Sequence, residues 1–243
     1  IWNKVLNILA PYLRYIGRVL PDKFPQETRV FHVPDAHIYC GYYDVSPLDI
    51  AAERLLVLRA AQENISPHTS GKSAEIGYYK TQEKSSQFIK IADTRAWNWQ
   101  QGARQQWVLS QDSCIIYNDF DGHDYCSHVY DINSGISVQK NPWPIYALHS
   151  RGKLALNLNF SRLHHYRPGY GYHNKVDSTF IEPAPAYDGL FLCHMDTGQK
   201  ELLVSLWQLA NFQPSDDMAA AGHYINHLQW RPNGQNILFF HQW

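Results

Sequence analysis

No C-x-x-C pair occurs in this chain: its four cysteines, Cys40, Cys114, Cys126 and Cys193, stand singly. That spacing excludes a disulfide scaffold and a zinc ribbon. Cys114, Cys126 and Cys193 lie in apolar, strand-like context and read as buried thiols, which agrees with a reducing compartment and tilts the expectation towards the cytoplasm. Charge is scarce. Asp, Glu, Lys and Arg make up 18% of 243 residues, and 21 basic against 22 acidic side chains leave a net charge of −1. Such a balance offers no global basic field for nucleic acid. No run of about 18 apolar residues occurs, so the sequence carries no membrane-spanning helix. A Gly-rich phosphate loop and a G-x-S-x-G elbow are also missing, which disfavours the enzyme classes built on them.

In their place the chain has aromatics, with eight Trp, 16 Tyr and 10 Phe, and a hydrophobic content of 44% that allows a packed core. It also has a repeated phrase: a short apolar strand, a tight polar turn, a second apolar strand. Gly41-Tyr42-Tyr43-Asp44-Val45-Ser46-Pro47 precedes Arg54-Leu55-Leu56-Val57-Leu58, and Gln106-Trp107-Val108-Leu109 precedes Cys114-Ile115-Ile116-Tyr117. Tyr146-Ala147-Leu148-His149 precedes Lys153-Leu154-Ala155-Leu156, and His227-Leu228-Gln229-Trp230 precedes Ile237-Leu238-Phe239-Phe240. Units that cannot bury their own faces stack on their neighbours, so the repeat predicts an all-β fold, a β-propeller of four-stranded blades. Blades are expected at about 38–93, 103–142 and 145–206, with a truncated one at 223–243. About three and a half blades do not close a ring, so the remaining blades are expected from a longer chain. The start at Ile1 and the stop at Trp243, just after a strand, fit that expectation. Ahead of the propeller domain, 27–243, residues 1–26 read as a helical segment, with Trp2, Val5, Leu6, Leu9, Leu13, Ile16 and Leu20 at three- and four-residue steps and Pro11 as a kink.

Connection lengths are lopsided. First-to-second and third-to-fourth strand turns are short, whereas the long connections are 60–73, 93–103, 159–188 and 207–222. In a four-stranded meander the long classes leave from one face, so that face is expected to carry the site.

Four stretches on that face have the residue types for chemistry. The insertion Asn159–Tyr172 gathers Arg162, Arg167, His164, His165, Tyr166, Tyr170 and Tyr172: guanidinium forks for carboxylates and phenol rings for stacking, or else a loop core of its own. The connection Asp93–Gly102 sets Trp97, Asn98, Trp99 and Gln100 together, flat faces beside amides as pyranose binding requires, or a wedge between blades. His223, His227 and Gln229 supply N, N and O donors for a divalent metal, without the helical zinc spacing. His123, among Asp119, Asp121 and Asp124, is a candidate base or simply part of a polar turn.

Cys40-Gly41-Tyr42-Tyr43-Asp44-Val45-Ser46-Pro47, Trp97-Asn98-Trp99-Gln100-Gln101-Gly102 and Arg167-Pro168-Gly169-Tyr170-Gly171-Tyr172 resemble the phrases of a bacterial β-propeller family associated with polysaccharide metabolism. That family is similar to oligogalacturonate lyases and, more distantly, to TolB-like propellers; here the likeness rests mainly on Asn226-His227-Leu228-Gln229-Trp230-Arg231-Pro232-Asn233-Gly234. The resemblance implies a lyase that cleaves acidic, uronate-containing oligosaccharides by β-elimination with a Mn²⁺ ion held by His and Gln. His223, His227 and Gln229 match those ligand types. In that scheme His123 or His165 is the base, Arg162 or Arg167 clamps the carboxylate, and Tyr170 protonates the leaving oxygen. Trp97, Asn98, Gln100 and Tyr172 complete the sugar-binding set. The alternative is a non-catalytic propeller that holds a glycan or a protein.

Overall fold

The computed structural model describes residues 36–49, 53–61, 72–83 and 87–243, together with 31, 33 and 51. The expected helical segment at 1–26 lies outside the described residues, as does most of the 60–73 connection. All described strands belong to one compact unit, Val33–Trp243.

Strands pair antiparallel, mostly with their sequence neighbours, in four separate sheets. The first contains β1 (Ala36–Tyr39), β2 (Leu48–Asp49), β3 (Arg54–Ala61), β4 (Ala74–Lys80) and β5 (Ile89–Thr94). The second runs β6 (Gln106–Trp107), β7 (Cys114–Phe120), β8 (Tyr125–Asp131) and β9 (Ile136–Asn141). The third runs β10 (Ala147–Leu148), β11 (Leu154–Asn157), β12 (Gly189–His194) and β13 (Lys200–Ser205). The fourth is the pair β14 (Tyr224–Trp230) and β15 (Ile237–Gln242). Of two short helices, α1 (Phe160–Tyr166) lies between β11 and β12 of the third sheet and α2 (Leu206–Ala210) follows β13 directly.

The apolar runs are explained by what each face meets. In β7, Ile115 and Tyr117 join Leu56, Leu58 and Ile76 of the first sheet. Cys114 and Ile116, on the opposite face, join Ala155 and Cys193 of the third. A strand buried on both sides must be apolar at every position, which is how Cys114–Tyr117 reads. The third and fourth sheets share a further core of Tyr146, Leu156, Leu190, Ile225 and Leu228. The outer strands β9 and β13 are mostly exposed. Consecutive sheets are also joined by indoles: Trp107 Nε1 donates to Pro47 O (2.9 Å) and Trp230 Nε1 to Ala147 O (3.2 Å). β2, β6, β10 and β14, one strand from each sheet, line one cavity of about 400 Å³, with Leu48, Trp107, Leu148 and Trp230 among its walls.

Three expectations need correction. The Gly41–Pro47 phrase is a turn, not a strand; β3 pairs instead with β1 at 58–61 and β2 at 54–55. Gly41 has φ +85°, and Asp44 is drawn inward to Arg104, so the chain leaves the sheet between those two partners. The first strands of the second and third sheets are only two residues long. The 159–188 insertion opens with a helix, α1, capped by Asn159 Oδ1 accepting from Arg162 N at 3.0 Å.

Candidate functional site

Three of the four long connections meet through hydrogen bonds. Asn98 Nδ2, in the 93–103 connection, donates to Tyr170 O in the 159–188 insertion at 3.0 Å. Arg162 Nε reaches His223 O at 2.7 Å, binding the same insertion to the end of the 207–222 connection. The β7–β8 turn joins them, since Lys175 N donates to Tyr125 Oη at 3.1 Å.

At the centre of these contacts stands His227. Its φ is +53°, and the β14–β15 register slips between Asn226 and Gln229. A bulky side chain in the left-handed region is strained, so surrounding contacts must hold it. Its N–H donates to Asn226 Oδ1 (2.9 Å) and Tyr146 Oη (3.1 Å). The imidazole stacks on Tyr42 at 5.4 Å and meets Phe240 edge-on at 5.1 Å and Tyr170 at 6.2 Å. Tyr43, 74% exposed, lies 4.4 Å from Tyr42 and carries the aromatic surface outward. Arg167 lies over the Tyr170 ring at 4.1 Å, and its Nη1 reaches Gln242 Oε1 at 3.4 Å.

Its surroundings favour the neutral form of this histidine. Burial lowers the His227 pKa, and the Arg167 charge lowers it further, against a smaller opposing pull from Asp44. His227 is 9% exposed, and among the described residues its Nδ1 has no hydrogen-bond partner. Burial, followed by a hydrogen bond with Tyr170, pushes the Tyr42 hydroxyl up to about 12, so it stays protonated. Beneath the rings Arg104 is held by Asp44 at 2.9 and 3.0 Å and by Tyr146 O at 2.8 Å.

The sequence-derived candidates divide between this cluster and structural duties. Tyr170, Arg167 and His227 come together. Arg162 does not join them: it is 1% exposed and donates to Asp177, Thr179, the Glu182 and Pro183 carbonyls and His223 O. It has no fork left for a substrate carboxylate. Tyr172 is buried, stacked on Phe160 at 4.3 Å, with its hydroxyl accepting from Asn118 Nδ2. Trp97 is buried and donates to Lys72 O at 2.8 Å, while Asn98 Oδ1 caps its own turn by accepting from Gln100 N and Gln101 N. Gln100 is exposed beside them. His123 sits in the exposed β7–β8 turn, where Asp121 accepts its N–H at 3.1 Å. His165 is exposed, edge-on to Tyr166 at 4.8 Å.

The manganese ion implied by the resemblance does not fit His223, His227 and Gln229 as placed. His223 Nε2 donates to Met218 O (3.0 Å), and its Nδ1 accepts from His241 Nε2 (2.9 Å), so both ring nitrogens are engaged. Gln229 lines the cavity between the four sheets. Among the described residues no three His, Cys, Asp or Glu side chains group as a metal site, and no helix is long and apolar enough to cross a membrane. Sequence reasoning missed Tyr42, Tyr43, Gln101, Tyr146 and Asn226 as parts of the site; the Gly-Tyr-Tyr-Asp turn, with its two adjacent rings, was the available signal. Comparison of the chain with protein-family models and with curated proteins returns no match.

Proposed function

We propose that the chain is part of a carbohydrate-active β-propeller whose site takes an acidic, uronate-containing oligosaccharide and cleaves it by β-elimination. A five-stranded sheet, two four-stranded meanders and a final two-stranded pair, which follow one another in sequence and together line one cavity, support the propeller. The observation that carries the function is one cluster holding a guanidinium, phenol rings and a neutral imidazole: Arg167, Tyr170, Tyr42 and His227.

Each part has a role in that reaction. Arg167 pairs with the uronate carboxylate, which acidifies the adjoining C5–H and stabilises the enolate charge that develops. Neutral His227 takes the C5 proton. As the C4–O bond breaks and the C4=C5 double bond forms, the leaving oxygen takes its proton from Tyr170 Oη. Tyr42 and Tyr43 present faces on which a pyranose stacks. No step runs through a metal.

The test is the full chain with trigalacturonate and related uronides, followed by the ultraviolet absorbance of the unsaturated product. Rising absorbance that Arg167→Ala and His227→Gln both abolish is the expected result. Binding without product favours a non-catalytic glycan-binding propeller, a reading suggested by the purely structural duties of Arg162, Trp97 and Tyr172. No binding at all overturns the carbohydrate assignment and leaves a protein-interaction propeller.

A further inference from the structure

Behind His227 two buried amides each carry one unused polar atom. Asn226 is 0% exposed and Gln101 1%, and among the described residues Asn226 Nδ2 and Gln101 Oε1 have no partner. The network fixes which atoms these are. The His227 main-chain N–H can only donate, so the Asn226 atom 2.9 Å from it is Oδ1. Tyr146 Oη donates to that same oxygen at 3.1 Å. Gln101 lies 3.2 Å from Oδ1 and must present Nε2 there, which also donates to Tyr146 Oη at 2.9 Å. Exchanging O and N in either amide would set two donors or two acceptors against each other. One donor and one acceptor are therefore left over, both on side chains that surround Tyr146 Oη.

A third unused atom lies nearby. Gln105 Oε1 accepts from Ala103 N at 3.0 Å, which leaves Gln105 Nε2 without a partner. A Cβ at Gly41 would come within 3.4 Å of Gln101 O and 3.5 Å of Gln105 Nε2, so these two glutamines border the same glycine, one residue before Tyr42. A buried polar group left unpaired has lost its hydration with nothing in exchange, and two on neighbouring side chains next to the His227 main chain point to a ligand group that pairs them. A hydroxyl is the neutral group that accepts one hydrogen bond and donates another.

We propose that Asn226 Nδ2 and Gln101 Oε1 form a hydroxyl seat that recognises one ring hydroxyl of a pyranose bound at the Tyr42–Tyr170–His227 cluster. The sugar class rests on the function proposed above; the seat itself rests on the two unpaired amides around Tyr146 Oη. It makes Asn226 and Gln101 specificity-determining residues. The competing occupant of the same donor and acceptor is an ordered water that never leaves.

Ligand and protein changes together separate the two. The full chain is titrated calorimetrically with methyl α-D-galacturonide, its monodeoxy analogues and the matching neutral galactoside. A seat predicts that one monodeoxy analogue binds weaker by about tenfold or more while the others do not. Asn226→Asp keeps the Oδ1 bonds to His227, Tyr146 and Gln101 but sets a buried carboxylate in place of the unused donor, a cost that thermal melting measures; the analogue series on the wild type decides the matter if the variant does not fold. The folded variant should bind the parent sugar as weakly as the wild type binds the sensitive deoxy analogue, and no longer tell the two apart. If the uronide binds and every deoxy analogue binds equally well, the seat is overturned while the acidic-sugar reading stands. If only the neutral galactoside binds, with the same hydroxyl dependence, the seat stands and the acidic-sugar reading falls. If no sugar binds, both fall.

Discussion

Asp44 and Arg104, 60 residues apart, meet through two hydrogen bonds of 3.0 and 2.9 Å, and both side chains are almost wholly buried. The pair has two faces. Asp44 ends the turn that carries Tyr42 and Tyr43, and Arg104 lies 4.0 Å over the Tyr146 ring while bonding Tyr146 O. Both residues also line the cavity between the four sheets. The ion pair thus supports the aromatic cluster and forms a wall of the cavity between the sheets.

Asp44→Asn should therefore do more harm than the loss of one surface pair. It leaves the Arg104 charge buried without a counter-charge, a change that costs about 3–5 kcal/mol. Urea unfolding should show the lower midpoint, and the double variant Asp44→Asn/Arg104→Met should recover part of the loss. An unchanged midpoint for Asp44→Asn would remove the pair from the account of the fold.

Arg162 is the clasp of the 159–188 insertion. Its guanidinium unites carbonyls from residues 179, 182, 183 and 223, which no other side chain can span at once. Arg162→Lys, which keeps the charge but loses the fork, should open the insertion to limited proteolysis. Cleavage should appear within 159–188 first, and stability should fall by roughly 3 kcal/mol or more as the buried Asp177 loses its partner. Protection equal to that of the wild type would show that the fork is dispensable.

Acid should weaken the fourth sheet through His241. Burial, and then the charge of His223, lower its pKa from 6.5 to about 4. Between those values the unfolded chain binds a proton that the folded chain refuses, so stability is full above about pH 6.5 and declines as pH falls towards 4. The groups around the ring are His223, hydrogen-bonded at 2.9 Å, and Trp243, whose Nε1 donates to Asp217. Denaturant midpoints measured across this interval should slope downward with acid, and His241→Gln should flatten that slope. An equal slope in both proteins would assign it to other groups.

Gly171 tests close approach rather than turn chemistry. A Cβ there would stand 2.1 Å from Phe160 O and 2.3 Å from His164 N, both main-chain atoms of α1. The helix cannot yield without breaking its own bonds, so Gly171→Ala should destabilise by about 1–3 kcal/mol and displace Tyr172 from Phe160. A thermal melt gives the first effect. Near-ultraviolet circular dichroism of the stacked rings gives the second.

The parts of this fold that could be read in the sequence are those with a local cause. Cys114–Tyr117 and Leu154–Leu156 announce themselves because both faces of each strand are buried, which leaves an unbroken apolar run. The Gly41–Pro47 phrase misleads because its aromatics imitate a strand, while the reason it turns is an arginine 60 residues away. Arg162 invites a substrate role for the same reason: a sequence shows the guanidinium but not the carbonyls that consume it. Arg167 and Tyr170 stand out by the density of Arg and Tyr in one insertion. Nothing in Asn226-His227-Leu228 reveals that the middle residue leaves the extended conformation, so His227 reads as a ligand in a regular strand rather than as the strained residue between Tyr42 and Phe240.

That strain is itself measurable. At φ +53° a β-branched residue is strongly disfavoured, whereas asparagine adopts the left-handed region readily. His227→Asn and His227→Val both remove the imidazole, so both should lose the stacking with Tyr42 and, in the proposed reaction, the base. They should differ in stability. The valine variant must either accept a backbone conformation that costs on the order of 1–2 kcal/mol or move the bulge, whereas the asparagine variant keeps it. A gap of that size in urea midpoints, with asparagine the more stable, means that the Asn226–Tyr146 network forces the backbone and the side chain follows. Equal stabilities would mean that the ring, held between Tyr42 and Phe240, imposes the conformation, and the amides beneath it would then be packing rather than positioning groups.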